Sequence, residues 1–239
     1  MIAATILAEG GWFAGLIVLL FLGVRLVHAI LERRRGTAFR LRATRLGLAY
    51  LGGKSREAMQ SEYGLFWLLE RGRRGKARHV ILGDYHSCQV VAGAYRFRHM
   101  RHTDHCVLGM VNLGLSCPQV LIRRAGIVDR IGALIGSQDI DFGNDKFGRT
   151  YCVKCDEPSF ARALLHPEMR HYLLLRPEYQ WEVRNGWAAA WCEGDWAPEG
   201  LTDLLELLQG FHGRIPDQVR EQCGKRGVSP VHPSVDRQR

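Results

Sequence analysis

Residues 12–31 read WFAGLIVLLFLGVRLVHAIL. As a helix, 20 residues span about 30 Å, the hydrocarbon thickness of a bilayer. The stretch therefore predicts one transmembrane helix near the N-terminus. Trp12 sits where an aromatic interface anchor belongs. Arg25 lies close enough to the far boundary for its side chain to reach the headgroups. The alternative is a buried helix of a soluble protein, and the flanks argue against it. Glu32-Arg33-Arg34-Arg35 follows at once, Arg40, Arg42 and Arg45 lie beyond, and no Lys or Arg precedes the stretch. The positive-inside rule then expects a single pass of the inner (plasma) membrane, N-terminus outside and the following domain cytoplasmic. The charge is on the wrong side for a cleaved signal peptide, so the segment reads as an uncleaved anchor.

Charge is placed unevenly along the 239 residues. Residues 25–78 hold 14 of the 33 Lys+Arg and 4 of the 24 Asp+Glu, leaving 19 basic and 20 acidic residues elsewhere. The whole basic excess thus lies beside the apolar stretch. This suits a segment resting on anionic headgroups, where each basic residue contributes about 1 kcal/mol. A nucleic-acid binder would carry the excess on its folded domain, interleaved with aromatics. The expected partners are therefore the lipid bilayer and its anionic headgroups, not nucleic acid, with a protein partner left open. Seven cysteines are too few for a disulfide scaffold, and a 46% hydrophobic chain is not wholly disordered.

The remainder predicts an α+β fold: one transmembrane helix followed by two antiparallel-sheet-plus-helix units. Residues 1–35 form the anchor with its basic flank. Residues 36–78 read as a basic, mainly helical juxtamembrane segment, broken at Gly52-Gly53-Lys54 and again at residues 71–75. From residue 79 the period changes to two, and four strands are expected up to residue 136, with Gly83-Asp84 as the first turn. Arg98 to Asp104 is polar enough to read as a long hairpin tip, and Gly126 to Ile135 as a short helix. The second unit covers 137–215. It has strands at Asp139–Phe142 and Phe147–Lys154, a helix opened by Pro158 and resumed at Pro167, and a hairpin at Asn185-Gly186. Its last helix carries Leu201, Leu204, Leu205, Leu208 and Phe211 on one stripe. Residues 216–239 read as a disordered tail. With the core-forming segments all downstream, a chain beginning near Thr44 is expected to fold alone.

Residues 137–179 contain Asp139-Ile140-Asp141-Phe142, then Phe147, Tyr151, Ala161-Arg162, Leu164-Leu165 and Pro167. With residues 63–90 they resemble a family of uncharacterised bacterial membrane-anchored proteins that carry a cytoplasmic α+β domain. The resemblance spans about residues 45–215. It departs from the family pattern at Val90 to Tyr95, where relatives carry an aromatic-rich strand. It implies location and architecture, and no activity.

Candidate chemistry is sparse. Cys152 and Cys155 form a lone CxxC, a redox pair or half a zinc site. The segment alternates as a strand, however, which puts residues three apart on opposite faces. His99, His102 and His105 are spaced by three, and would present a metal pair on a helix but solvated imidazoles on a hairpin tip. Trp181, Trp187, Trp191 and Trp196 form an aromatic cage or, more commonly, sheet core. Asp139 and Asp141 share a strand face, with Asp141 placed to cap the following turn. No catalytic or cofactor fingerprint accompanies them. Catalytic, cofactor and metal residues are therefore not assigned. The residues tied to function are those of the anchor: Trp12, Arg25, Arg33, Arg34 and Arg35. The expected role is a non-enzymatic interaction or structural module. The alternative is a thiol- or metal-dependent enzyme using Cys152, Cys155 and the His99–His105 cluster.

Overall fold

The computed structural model describes residues 2–63, 66–70, 73–99, 102–125 and 138–224, without the side chains of residues 2–15, 55, 56, 67, 70, 73, 74, 99 and 138. The side chain of Trp12 and the helix expected over Gly126–Ile135 lie outside this description.

The fold is α+β. Its nine described strands are β1 (Ala49–Ser55), β2 (Arg73–Tyr85), β3 (Cys88–His99), β4 (His102–Asn112), β5 (Val120–Arg124), β6 (Gln138–Ile140), β7 (Tyr151–Cys155), β8 (Gln180–Arg184) and β9 (Trp187–Glu193). They form one sheet in the order β1-β2-β3-β4-β9-β8-β5-β7-β6. Every pairing is antiparallel. The strands expected in two units are thus continuous, because the β8–β9 hairpin inserts between β4 and β5. The Asn185-Gly186 signal holds: both residues have positive φ, 52° and 78°, as a two-residue hairpin turn requires.

The sheet is covered on both faces. Ile81, Val90, Ala92, Val107, Val111, Ala188 and Ala190 face one core. Their chain neighbours Val80, Leu82, Val91, Leu108, Met110, Ala189 and Trp191 face a second. Two-sided burial turns strict alternation into near-continuous apolar runs, as in Val90-Val91-Ala92. The second core is closed by α2 (Arg56–Tyr63) and α3 (Trp67–Glu70) through Met59, Tyr63, Leu68 and Leu69, together with Phe66 just before α3.

Helices α4 (Lys146–Thr150), α5 (Pro158–Leu164), α6 (Pro167–Leu175), α7 (Leu201–Gly213) and α8 (Asp217–Gly224) complete the fold. The leucine stripe of α7 is buried as its spacing predicts. The helix crosses β4 at Gly109, where an added Cβ would meet Leu204 Cδ1 at 2.9 Å and Leu208 Cδ1 at 3.0 Å. A side chain there would have to displace these two leucines.

Several expectations need correction. Residues 36–78 hold strand as well as helix, since β1 and the start of β2 lie among three helical stretches. β1 is an edge strand carrying Gly52 and Gly53, and an edge needs no apolar alternation. The first hairpin turns at His86-Ser87, both at positive φ, rather than at Gly83-Asp84, which belong to β2. The polar run at 98–104 is largely paired strand, His99 opposite His102. Residues 147–150 are helical, and β7 begins only at Tyr151. The expected tail begins with helix α8, whose Val219 and Cys223 are buried; residues 225–239 lie outside the description.

Helix α1 (Ile2–Arg45) runs unbroken for 44 residues, about 66 Å at 1.5 Å per residue. Its lower part belongs to the core: Phe39 and Ala43 are fully buried. A chain beginning at Thr44 would lack both, so the expected boundary is corrected to a point above Phe39. Among the described residues no helix is long and apolar enough to cross a membrane.

Candidate functional site

The most organised polar cluster lies where α1 meets the sheet. β2 slips register between Arg78 and Ile81, and His79 takes a positive φ of 53°. Such a bulge re-aims side chains that would otherwise alternate. Both Arg78 and His79 thereby reach Glu32 of α1, at 3.0 and 3.4 Å. The other ring nitrogen of His79 meets the Tyr50 hydroxyl at 3.0 Å. Gly36 makes room for this, since a Cβ there would lie 3.1 Å from that hydroxyl. Phe39 stacks on His79 and packs against Trp196, ring centroids 4.7 and 4.4 Å apart. One turn on, Arg42 reaches Glu199 at 2.8 Å. Burial pushes the His79 pKa down, outweighing the Glu32 carboxylate, so the ring is held neutral.

The arginines expected to flank an anchor divide at this junction. Arg25, Arg33 and Arg34 are exposed, whereas Arg35 is half-buried. Arg35 lines two adjoining spaces. One is a cavity of about 150 Å³ shared with Arg78, His79, Arg96 and Trp196. The other is a cleft of about 450 Å³ beside Leu31, Ala38 and Pro198.

The residues that carry the family resemblance build a packing corner. Asp141 accepts a hydrogen bond from the Gly143 amide at 2.7 Å, the turn cap expected of it. Phe142 meets Phe147 edge-on, and Phe147 packs on Tyr151. Arg162 and Arg170 lie over the Phe142 ring at 5.8 and 5.7 Å. Tyr151 donates to the Leu173 carbonyl, and Ala161, Leu164 and Leu165 are buried.

Strand geometry separates the two cysteines. Cys152 is exposed and Cys155 buried. Cys152 faces Asp139 Oδ1 at 3.8 Å, whereas Cys155 donates to the Glu157 carbonyl at 3.2 Å. Burial pushes both thiols up, so neither is an activated thiolate. His102 is exposed, and exposed His105 pairs with Asp195 at 3.0 Å. The His99 side chain lies outside the description. All four tryptophans are buried. They do not share one pocket: Trp181 stacks on Phe211, Trp187 meets Tyr63 edge-on and Trp196 packs at a tilt against Phe39.

Two features escape a reading by pattern. Cys88 and His212 meet at 3.4 Å across 124 residues, a pairing that no local spacing reveals. Arg123, Gln180 and Glu182 are buried polar residues on neighbouring strands, with Glu182 accepting from Gln119 at 2.8 Å. Gln180 and Glu182 do leave a signal, since they alternate with Trp181 and Val183.

No protein-family profile matches the chain, and no curated protein matches it in sequence. A likeness of fold is found. The crystal structure of the mycobacterial trehalose monomycolate transport factor A superposes with a TM-score of 0.57 at 13% identity, over 77% of this chain and 96% of that one.

Proposed function

We propose that this chain is a single-pass membrane-anchored protein whose α+β domain acts as a non-enzymatic interaction or structural module. The upper part of α1 sits in the plasma membrane, with the N-terminus outside and the sheet domain on the cytoplasmic side. This is also the architecture of the family that residues 137–179 resemble. The observation that carries the reading is an apolar helix face with nothing on it. Twelve large apolar side chains between Leu16 and Leu31 are 43–69% exposed, on all sides of the helix. Each gains about 0.3–0.6 kcal/mol at the centre of a spanning helix, and an arginine there costs about 2.5–3.5 kcal/mol. Twelve of the first outweigh the single Arg25. Patches this large are not left in water by a stable monomer.

Cell fractionation and reporter fusions test this. The protein should stay with membranes after carbonate extraction. A reporter fused after Arg239 should be active in the cytoplasm. Release by carbonate, or activity of a periplasmic reporter at that position, would overturn the reading.

A further inference from the structure

We infer that the junction of α1 with the sheet holds the phosphate of one anionic lipid headgroup, with Arg35 and Arg96 as its ligands. The inference rests on the membrane reading above and names what the domain takes from the bilayer. It starts from the charges around the 150 Å³ cavity. Its two acids are already engaged, Glu32 by Arg78 and His79, and Asp195 by His105. Among the described residues, Arg35 and Arg96 have no such acidic partner. They approach from different elements, α1 and β3, onto the same space. Two arginines that line one partly enclosed space from different elements suit a phosphate, which accepts paired N–H bonds from a guanidinium.

The adjoining cleft makes the anion part of an amphiphile. Leu31, Ala38 and Pro198 line it, and His28, Glu32 and Arg35 form the wall common to both spaces. Leu31 is also the last of the exposed apolar residues of α1. The apolar surface of the helix thus continues through Leu31 into the cleft, whose polar wall, with Arg34 beside the three shared residues, leads to the cavity that Arg96 also lines. A lipid whose chain lies along α1 would place its phosphate in the cavity. Free inorganic phosphate would use the arginines and leave the cleft unused.

The test uses the full chain in neutral detergent, with thermal unfolding as the readout. Adding phosphatidylglycerol should raise the midpoint by about 3 °C, because a ligand of the folded state alone stabilises it. Phosphatidylcholine, whose phosphate is neutralised by its own choline, should not. Arg35→Gln and Arg96→Gln should each remove the shift, and Arg35→Lys, which keeps the charge but not the paired N–H fork, should keep only part of it. An exposed control, Arg149→Gln on α4, should leave it intact. An equal shift with millimolar inorganic phosphate would overturn the lipid source. A shift that survives both Gln variants, or falls equally in the Arg149 control, would overturn the site. Flotation with neutral phosphatidylcholine vesicles reads the anchor separately. Floating protein without a phosphatidylglycerol shift defeats only the headgroup site, and protein that does not float defeats the anchor.

Discussion

The ring of Phe39 lies 4.7 Å from the imidazole of His79, centroid to centroid, with 22° between their planes. This contact fastens α1 to the bulge of β2. Phe39 is fully buried and also touches Trp196. Phe39→Ala should therefore cost about 3–5 kcal/mol, the range for removing a buried aromatic. Urea unfolding of the full chain in detergent measures it. A cost below about 1 kcal/mol, in the range of an ordinary surface change, would mean the helix is not held there.

Truncation tests the same contact from the other side. A chain starting at Arg34 keeps Phe39 and Ala43 and should unfold in one cooperative transition. A chain starting at Thr44 lacks both and exposes the surface they cover, and should aggregate or unfold at a clearly lower temperature. Equal midpoints for the two would show that the lower part of α1 is dispensable.

Acid should weaken the fold in a defined window. His79 and His212 both have pKa values lowered by burial, so the folded state resists protonating them. The unfolded chain takes up these protons near its ordinary pKa of about 6.5. Their contribution to stability is therefore fully present above about pH 6.5 and is lost as the pH falls through the lower folded values. The melting midpoint should be flat from about pH 8 to 7 and fall below that. His212→Gln should flatten the fall, because the ring beside Cys88 and Arg220 no longer titrates. A fall unchanged in both His212→Gln and His79→Gln would assign it to other groups.

The cysteines should behave as unlike residues. Cys155→Ser should cost about 1–3 kcal/mol, as a hydroxyl replaces a buried thiol. Cys152→Ser should stay within about 0.5 kcal/mol, as surface changes do. Alkylation should label Cys152 in the folded protein and Cys155 only after unfolding. A reversible disulfide between the two under mild oxidation would contradict their placement on opposite faces of β7.

What the sequence revealed followed burial. The paired strands were legible where a core demanded apolar residues, as in β3 and β4, and α7 was legible from its leucine stripe. Asn185-Gly186 was legible because its backbone conformation selects those residue types. The turn at His86-Ser87 was not, because residues without that preference occupy positive φ there. β1 was hidden by its edge position and two glycines. The ends of β3 and β4 run into exposed positions, so Arg98, His102 and Thr103 are polar and looked like loop. Strand order was beyond reach, since nothing local tells β9 to pair with β4 across some 75 residues. The junction site was half legible. The arginine run marked its place, but Arg78, His79 and Arg96 reach it only through the bulge and the sheet.

The unbroken course of α1 has a mechanical consequence. A spanning helix adjusts its tilt to the thickness of the bilayer around it. With no joint between residue 16 and the fully buried Phe39, a helix that spans as proposed would impose that angle on the sheet as well. The domain would behave as a pointer on a rigid shaft. A thinner or thicker membrane would turn a different side of it toward the headgroups and toward whatever stands beside it.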